Sequence, residues 1–99
     1  MDSQTLTKED IDVQKPKLYA VIIHNDDITT MDFVVDVLMQ IFNKSTVEAA
    51  SLMMDVHEKG HGIAGVYTYD IACTKVMQTN QRAAEKNFPL KLTIEEVDE

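Results

Sequence analysis

An unbroken apolar run, Leu18-Tyr19-Ala20-Val21-Ile22-Ile23, rich in β-branched side chains and preceded by Lys15-Pro16-Lys17, reads as a buried strand. It does not end in a cheap turn. It ends in Asn25-Asp26-Asp27, three acceptor-rich side chains just ahead of an amphipathic helix, with His57 placed at the end of another helix further on. Clustered acceptors with no basic residue among them suit a small cation, and an amino group fits as well as a metal does.

Composition sets the outer limits. Ninety-nine residues allow one domain with its own core, and are too few for two lobes around a deep cleft. Apolar residues make up 44% and charged residues 26%, a globular balance rather than a disordered one. The net charge of -8 argues against a nucleic-acid partner, because a phosphate-binding face needs a surplus of Lys and Arg. Solubility and a basic partner surface are the uses such a charge fits. Cys73, the only cysteine, cannot form an internal disulfide, which is consistent with a reducing compartment. No apolar stretch approaches the twenty or so residues of a membrane span, and no signal-peptide core is seen. The expectation is a cytoplasmic protein that uses neither membrane nor nucleic acid.

Residues 1–17 hold mixed charges with only scattered Leu6, Ile11 and Val13, too little apolar surface to offset the entropy of ordering, and read as a flexible acidic arm. The core domain is expected over 18–99. Thr29 at an N-cap with Asp32 three residues on approximates a capping box, and Val34, Val37, Leu38, Ile41 and Phe42 form a helical stripe that Asn43 closes. Ser45 with Glu48 supplies a second capping box, and Ala49, Leu52, Met53 and Val56 continue as a stripe up to Gly60. A short strand follows over Ile63 to Tyr67. Thr68 then caps a third helix, with Ala72, Val76, Asn80 and Ala83 along one side. Leu90, Leu92 and Ile94 alternate with Lys91, Thr93 and Glu95 in a last strand. The order β-α-α-β-α-β implies an α+β fold: a two-layer α/β sandwich of three strands and three helices.

His57-Glu58-Lys59-Gly60-His61 formally matches the zinc-metallopeptidase pattern H-E-x-x-H. That chemistry needs one helix running through both histidines and a third ligand. Gly60 and Gly62 flank the second histidine where the helix should stop, and no downstream ligand is evident. A solvated turn is the better reading of His61. Cys73 reads as a buried thiol, Ser45 and Ser51 as capping and packing residues, and the methionines as core. Met31 and Met53 are also candidates for an adaptable pocket wall, because an unbranched thioether conforms to varied apolar guests.

The segment Tyr19 to Val34, containing Asn25-Asp26-Asp27-Ile28-Thr29-Thr30-Met31, resembles the start of the ClpS adaptor domain. Met53-Met54-Asp55-Val56-His57-Glu58-Lys59-Gly60, Gly65 to Val76 and Phe88-Pro89-Leu90 resemble its later signatures, in the same order and spacing. The resemblance implies a non-enzymatic, cofactor-free, monomeric adaptor of the N-end rule pathway. Such adaptors capture proteins that begin with Leu, Phe, Tyr or Trp and deliver them to the AAA+ unfoldase ClpA or ClpC for degradation by ClpP. Carried over by position, Asn25, Asp26 and His57 would bind the substrate's α-amino group. Thr29, Met31, Val34, Met53, Val56 and Leu90 would line the side-chain pocket, and Asp27 would shape its rim. Asp70 and Lys75 would contact the unfoldase's N-terminal domain. The chain departs from the family at Thr30, where Pro is common, at Ile28, where an aromatic residue is common, and at Asp70, where Glu is more frequent. The alternatives are a small zinc metallopeptidase using His57, Glu58 and His61, or an interaction module like the C-terminal domain of the ribosomal stalk protein.

Overall fold

The computed structural model describes residues 15–97, so the expected arm lies outside the described residues save for its last three. The elements run β1 (Leu18–His24), α1 (Met31–Gln40), α2 (Thr46–Lys59), β2 (His61–Tyr67), α3 (Tyr69–Glu85) and β3 (Lys91–Val97). This is the order read from the sequence, an α+β domain of three helices and a three-stranded antiparallel sheet.

The sheet order is β2-β1-β3, so β1 is the middle strand and pairs antiparallel on both sides. That position accounts for its continuous apolar run: Ala20, Val21, Ile22 and Ile23 are all buried. On β3, Leu92 and Ile94 lie opposite Ile23 and Val21 and pack on the core, while Lys91 and Thr93 lie opposite His24 and Ile22. The helices close the core, with Val37 and Leu38 of α1, Ala49 and Val56 of α2, and Ala72 and Ala83 of α3 gathered on Val21 and Ile23. α3 packs across all three strands, and α2 against β2 and α1.

Several details differ from the sequence reading. β2 begins at His61 rather than Ile63. Its register on β1 shifts so that Val21 faces Gly65 while Ile22 faces Ile63, leaving the buried Ala64 as the extra residue of a bulge. The cap of α1 is Thr30, whose hydroxyl accepts from the Phe33 amide at 3.2 Å, because Thr29 is occupied elsewhere. α1 ends at Gln40, and Ile41 and Phe42 are buried beyond it. Thr79, not Asn80, points inward from α3, its hydroxyl satisfied by donating to the Lys75 carbonyl at 2.9 Å. The Ser45–Glu48 capping box forms as read. Gly62 has a packing reason: a Cβ there would sit 3.0 Å from Val56 Cγ2, so the bare glycine lets α2 lie close on β2. No helix among the described residues is long and apolar enough to cross a membrane.

Candidate functional site

Two chain segments meet beside one end of the sheet: the loop between β1 and α1, and the last turn of α2. Gly60 ends α2 in the left-handed region (φ 92°), its amide returning to the Val56 carbonyl at 2.9 Å. The Gly60 carbonyl in turn accepts from the Asn25 amide at 2.9 Å. That backbone bond ties the loop to the helix end and sets Asn25 and His57 around one cavity of about 400 Å³.

The cavity is two-sided. Asn25, Asp26, Asp27 and His57 supply acceptors, with Thr29 and Thr30 beside them. Met31 and Val34, one turn apart on α1, and Met53 and Val56, one turn apart on α2, supply apolar surface. Val34 and Val56 are 6% and 4% exposed and form the floor, whereas Met31 at 43% and Ile28 at 63% stand at the mouth. The size falls within the range of small-molecule pockets. A groove of similar volume, about 430 Å³, runs along α3 beside Ile94, but its lining of Cys73, Val76, Met77, Asn80, Gln81 and Ala84 has no charged side chain.

The Asp26 carboxylate organises the loop. Its Oδ1 accepts from the amides of Ile28 at 2.8 Å and Thr29 at 2.7 Å, and its Oδ2 accepts from the Thr29 hydroxyl at 2.7 Å. Burial pushes the carboxyl up, but the bonds from the Thr29 amide and hydroxyl and the Ile28 amide outweigh it and hold the group below the ordinary carboxylate range. A carboxylate has about four lone-pair sites, so one on Oδ2 is left for a ligand. Among the described residues, the Asn25 amide group and the His57 imidazole make no side-chain hydrogen bond and are open to a ligand as well.

The residues expected at one pocket are thus gathered there with a single exception. Leu90 is buried in the same apolar cluster as Val34 and Val56 and does not line the cavity. Ile28 and Thr30, both positions where the chain departs from the family, line it as well. An isoleucine set among Asn25, Asp26, Asp27, Thr29 and Thr30 is the sequence signal that marks Ile28. The H-E-x-x-H histidines are separated. α2 ends at Lys59, Gly60 reverses the chain, and His61 opens β2 opposite His24. They therefore never share one helical face, and among the described residues no group of three or more His, Cys, Asp and Glu could hold a metal ion.

Asp70 and Lys75 stand on different sides of α3. Asp70 is exposed in the first turn, where the Thr68 hydroxyl donates to Oδ1 at 2.8 Å and holds its carboxyl below the ordinary range. Lys75 is half-buried. Its Nζ donates to the Ile41 carbonyl at 2.6 Å and lies 5.2 Å from the Tyr67 ring centroid and 5.9 Å from that of Phe42.

Residues 14–93 match the family described as ATP-dependent Clp protease adaptor protein ClpS. The Clp protease adapter ClpS of Acetivibrio thermocellus is 48% identical over 97 residues, covering 96% of this chain and 98% of that one. Its counterpart in Lawsonia intracellularis is 53% identical over 87 residues, covering 88% and 80%. Among solved structures, Agrobacterium tumefaciens ClpS2 bound to L-phenylalaninamide superposes with a TM-score of 0.80 at 37% identity, over 84% of this chain and 100% of that one.

Proposed function

The chain belongs to the ClpS family of adaptors of the ATP-dependent Clp protease, and on that premise we propose that its two-sided cavity is a receptor for the first residue of a polypeptide. The observation that carries this reading is the juxtaposition of the Asn25, Asp26 and His57 acceptors with the apolar walls of Met31, Val34, Met53 and Val56 in one cavity. A free α-amino group has a pKa of about 8, so at neutral pH it is mostly a cation with three donors. The Asn25 carbonyl oxygen, the remaining lone pair of Asp26 Oδ2 and a neutral His57 ring nitrogen supply three acceptors.

An internal peptide N–H has one donor and no charge. It would leave acceptors unpaired at about 1–3 kcal/mol each, which favours chain ends. Burying a Leu or Phe side chain in the apolar half adds about 1.5–3 kcal/mol. The ligand of the Agrobacterium protein supports the assignment, because L-phenylalaninamide carries an amino group and a benzyl group on one carbon. The substrates are proteins beginning with Leu, Phe, Tyr or Trp, with Asp27 and Ile28 shaping the rim. Acting as a non-enzymatic cytoplasmic monomer, the adaptor delivers them through the Asp70 and Lys75 region of α3 to the N-terminal domain of ClpA or ClpC.

Fluorescence anisotropy with Phe-, Leu-, Ile- and Met-initiated peptides tests the reading. Phe or Leu peptides should bind tightest, and N-acetylation should abolish binding. Equal binding of free and acetylated peptides would refute it.

A further inference from the structure

We propose that Thr29 is a positioning residue for recognition of the amino group: its hydroxyl turns the Asp26 carboxylate so that the unused lone pair of Oδ2 faces the cavity. This rests on the reading of the cavity given above. The family resemblance implies a pocket-wall role for Thr29, and the residue lies on the cavity lining. Yet both of its polar groups are committed to one partner. The amide donates to Asp26 Oδ1 at 2.7 Å and the hydroxyl to Oδ2 at 2.7 Å.

The two contacts do different things. The Ile28 and Thr29 amides fill both lone pairs of Oδ1 and build the turn, which any residue but proline at position 29 would preserve. The hydroxyl touches the other oxygen and takes one of its two lone pairs, so it fixes where the remaining one points. Without it only the two amide bonds at Oδ1 resist rotation about the Cβ–Cγ bond, a soft torsion, and the direction of Oδ2 is less closely fixed. A charge-assisted bond to an ammonium group depends on that orientation. The same hydroxyl helps keep Asp26 ionised, since its bond is one of the three that hold the carboxyl down against burial. The other titratable groups on the cavity are Asp27 on the same loop and His57 on α2, while α1 presents Met31 and Val34.

Isosteric substitution separates positioning from wall-lining. Thr29→Val keeps the shape and the backbone amide, removes the hydroxyl and makes the wall more apolar. Thr29→Ser keeps the hydroxyl and removes the methyl. Affinity for a Phe-initiated peptide at pH 7.5 should fall at least about fivefold in Thr29→Val and return to within about twofold of wild type in Thr29→Ser. In the ligand-free proteins, an NMR titration of the Asp26 carboxyl should move upward in Thr29→Val and stay in place in Thr29→Ser. Wild-type affinity in Thr29→Val, failure of serine to restore binding, or an unmoved carboxyl titration overturns the inference. If wild type itself binds free and acetylated peptides equally, the receptor reading falls and this falls with it. If binding needs the free amine in wild type and is kept in Thr29→Val, only the role of Thr29 is lost.

Discussion

Replacing Lys75 with methionine should destabilise the domain with no partner present. The ammonium group donates at 2.6 Å to the carbonyl of Ile41, the residue that closes α1, from a helix more than thirty residues further along the chain. The last carbonyls of a helix have no partner within it, so this bond satisfies an acceptor that the fold leaves over. A hydrogen bond with a charged partner contributes about 1.5–3 kcal/mol. The Tyr67 and Phe42 rings, with centroids 5.2 and 5.9 Å from Nζ, add about 0.5–1 kcal/mol at a partly solvated site. Methionine keeps most of the aliphatic stem and avoids the partial desolvation of the charge, which offsets some of that loss. A net loss of about 1.5–2.5 kcal/mol follows, which in a domain of this size lowers Tm by roughly 6–20 °C. Thermal and urea unfolding of the isolated protein measure it. A change below about 0.5 kcal/mol would show that the Ile41 bond and the ring contacts contribute nothing net, and the staple reading would be wrong. The outcome bears on delivery too. If Lys75 supports the fold, loss of unfoldase binding in a Lys75 variant is not proof of a lost contact, whereas Asp70→Asn, at an exposed carboxylate, probes that surface without disturbing the core.

Gly62→Ala should cost about 1–3 kcal/mol, because the new methyl meets Val56 Cγ2 at 3.0 Å and must push it aside. Val56 is part of the cavity floor, so the same variant should bind Phe and Leu peptides more weakly, as calorimetry would show; unchanged affinity would mean that α2 absorbs the shift elsewhere. Leu90→Ala should lose about 2–5 kcal/mol in urea unfolding, as for other buried leucines, yet keep peptide affinity within about threefold well below its Tm, since Leu90 does not reach the cavity. Asp26 gives the fold an acid dependence. Its folded carboxyl lies below the ordinary value, so its contribution is fully present above about pH 3.9 and is lost as pH falls through the lower folded value. Asp26→Asn should therefore flatten the acid limb of a stability–pH curve, and an unchanged limb would refute the assignment.

Most of the fold was legible because its signals are periodic. The β1 run, the Ser45–Glu48 box and the alternation in β3 each repeat a backbone geometry, and the structure keeps all three. The misplacements fall where a choice between adjacent residues depends on tertiary contacts. Thr29 and Thr30 are equally good caps in isolation, and the structure gives the cap to Thr30 because Asp26 claims Thr29. Thr79 displaces Asn80 on the inner face of α3 because a threonine hydroxyl can be silenced by its own helix, whereas a buried carboxamide needs partners the core does not have. On sequence Lys75 is no more than an expected unfoldase contact, and the approach of Ile41, Phe42 and Tyr67 in space is what makes it a staple as well. The cavity was legible in outline for a different reason. Asn25 and His57 are far apart in sequence, but the residue that ends α2, Gly60, also receives the Asn25 amide. A glycine that stops a helix thereby fixes how the loop is joined to that helix, and the same turn chemistry that shapes the chain brings the acceptors to one cavity.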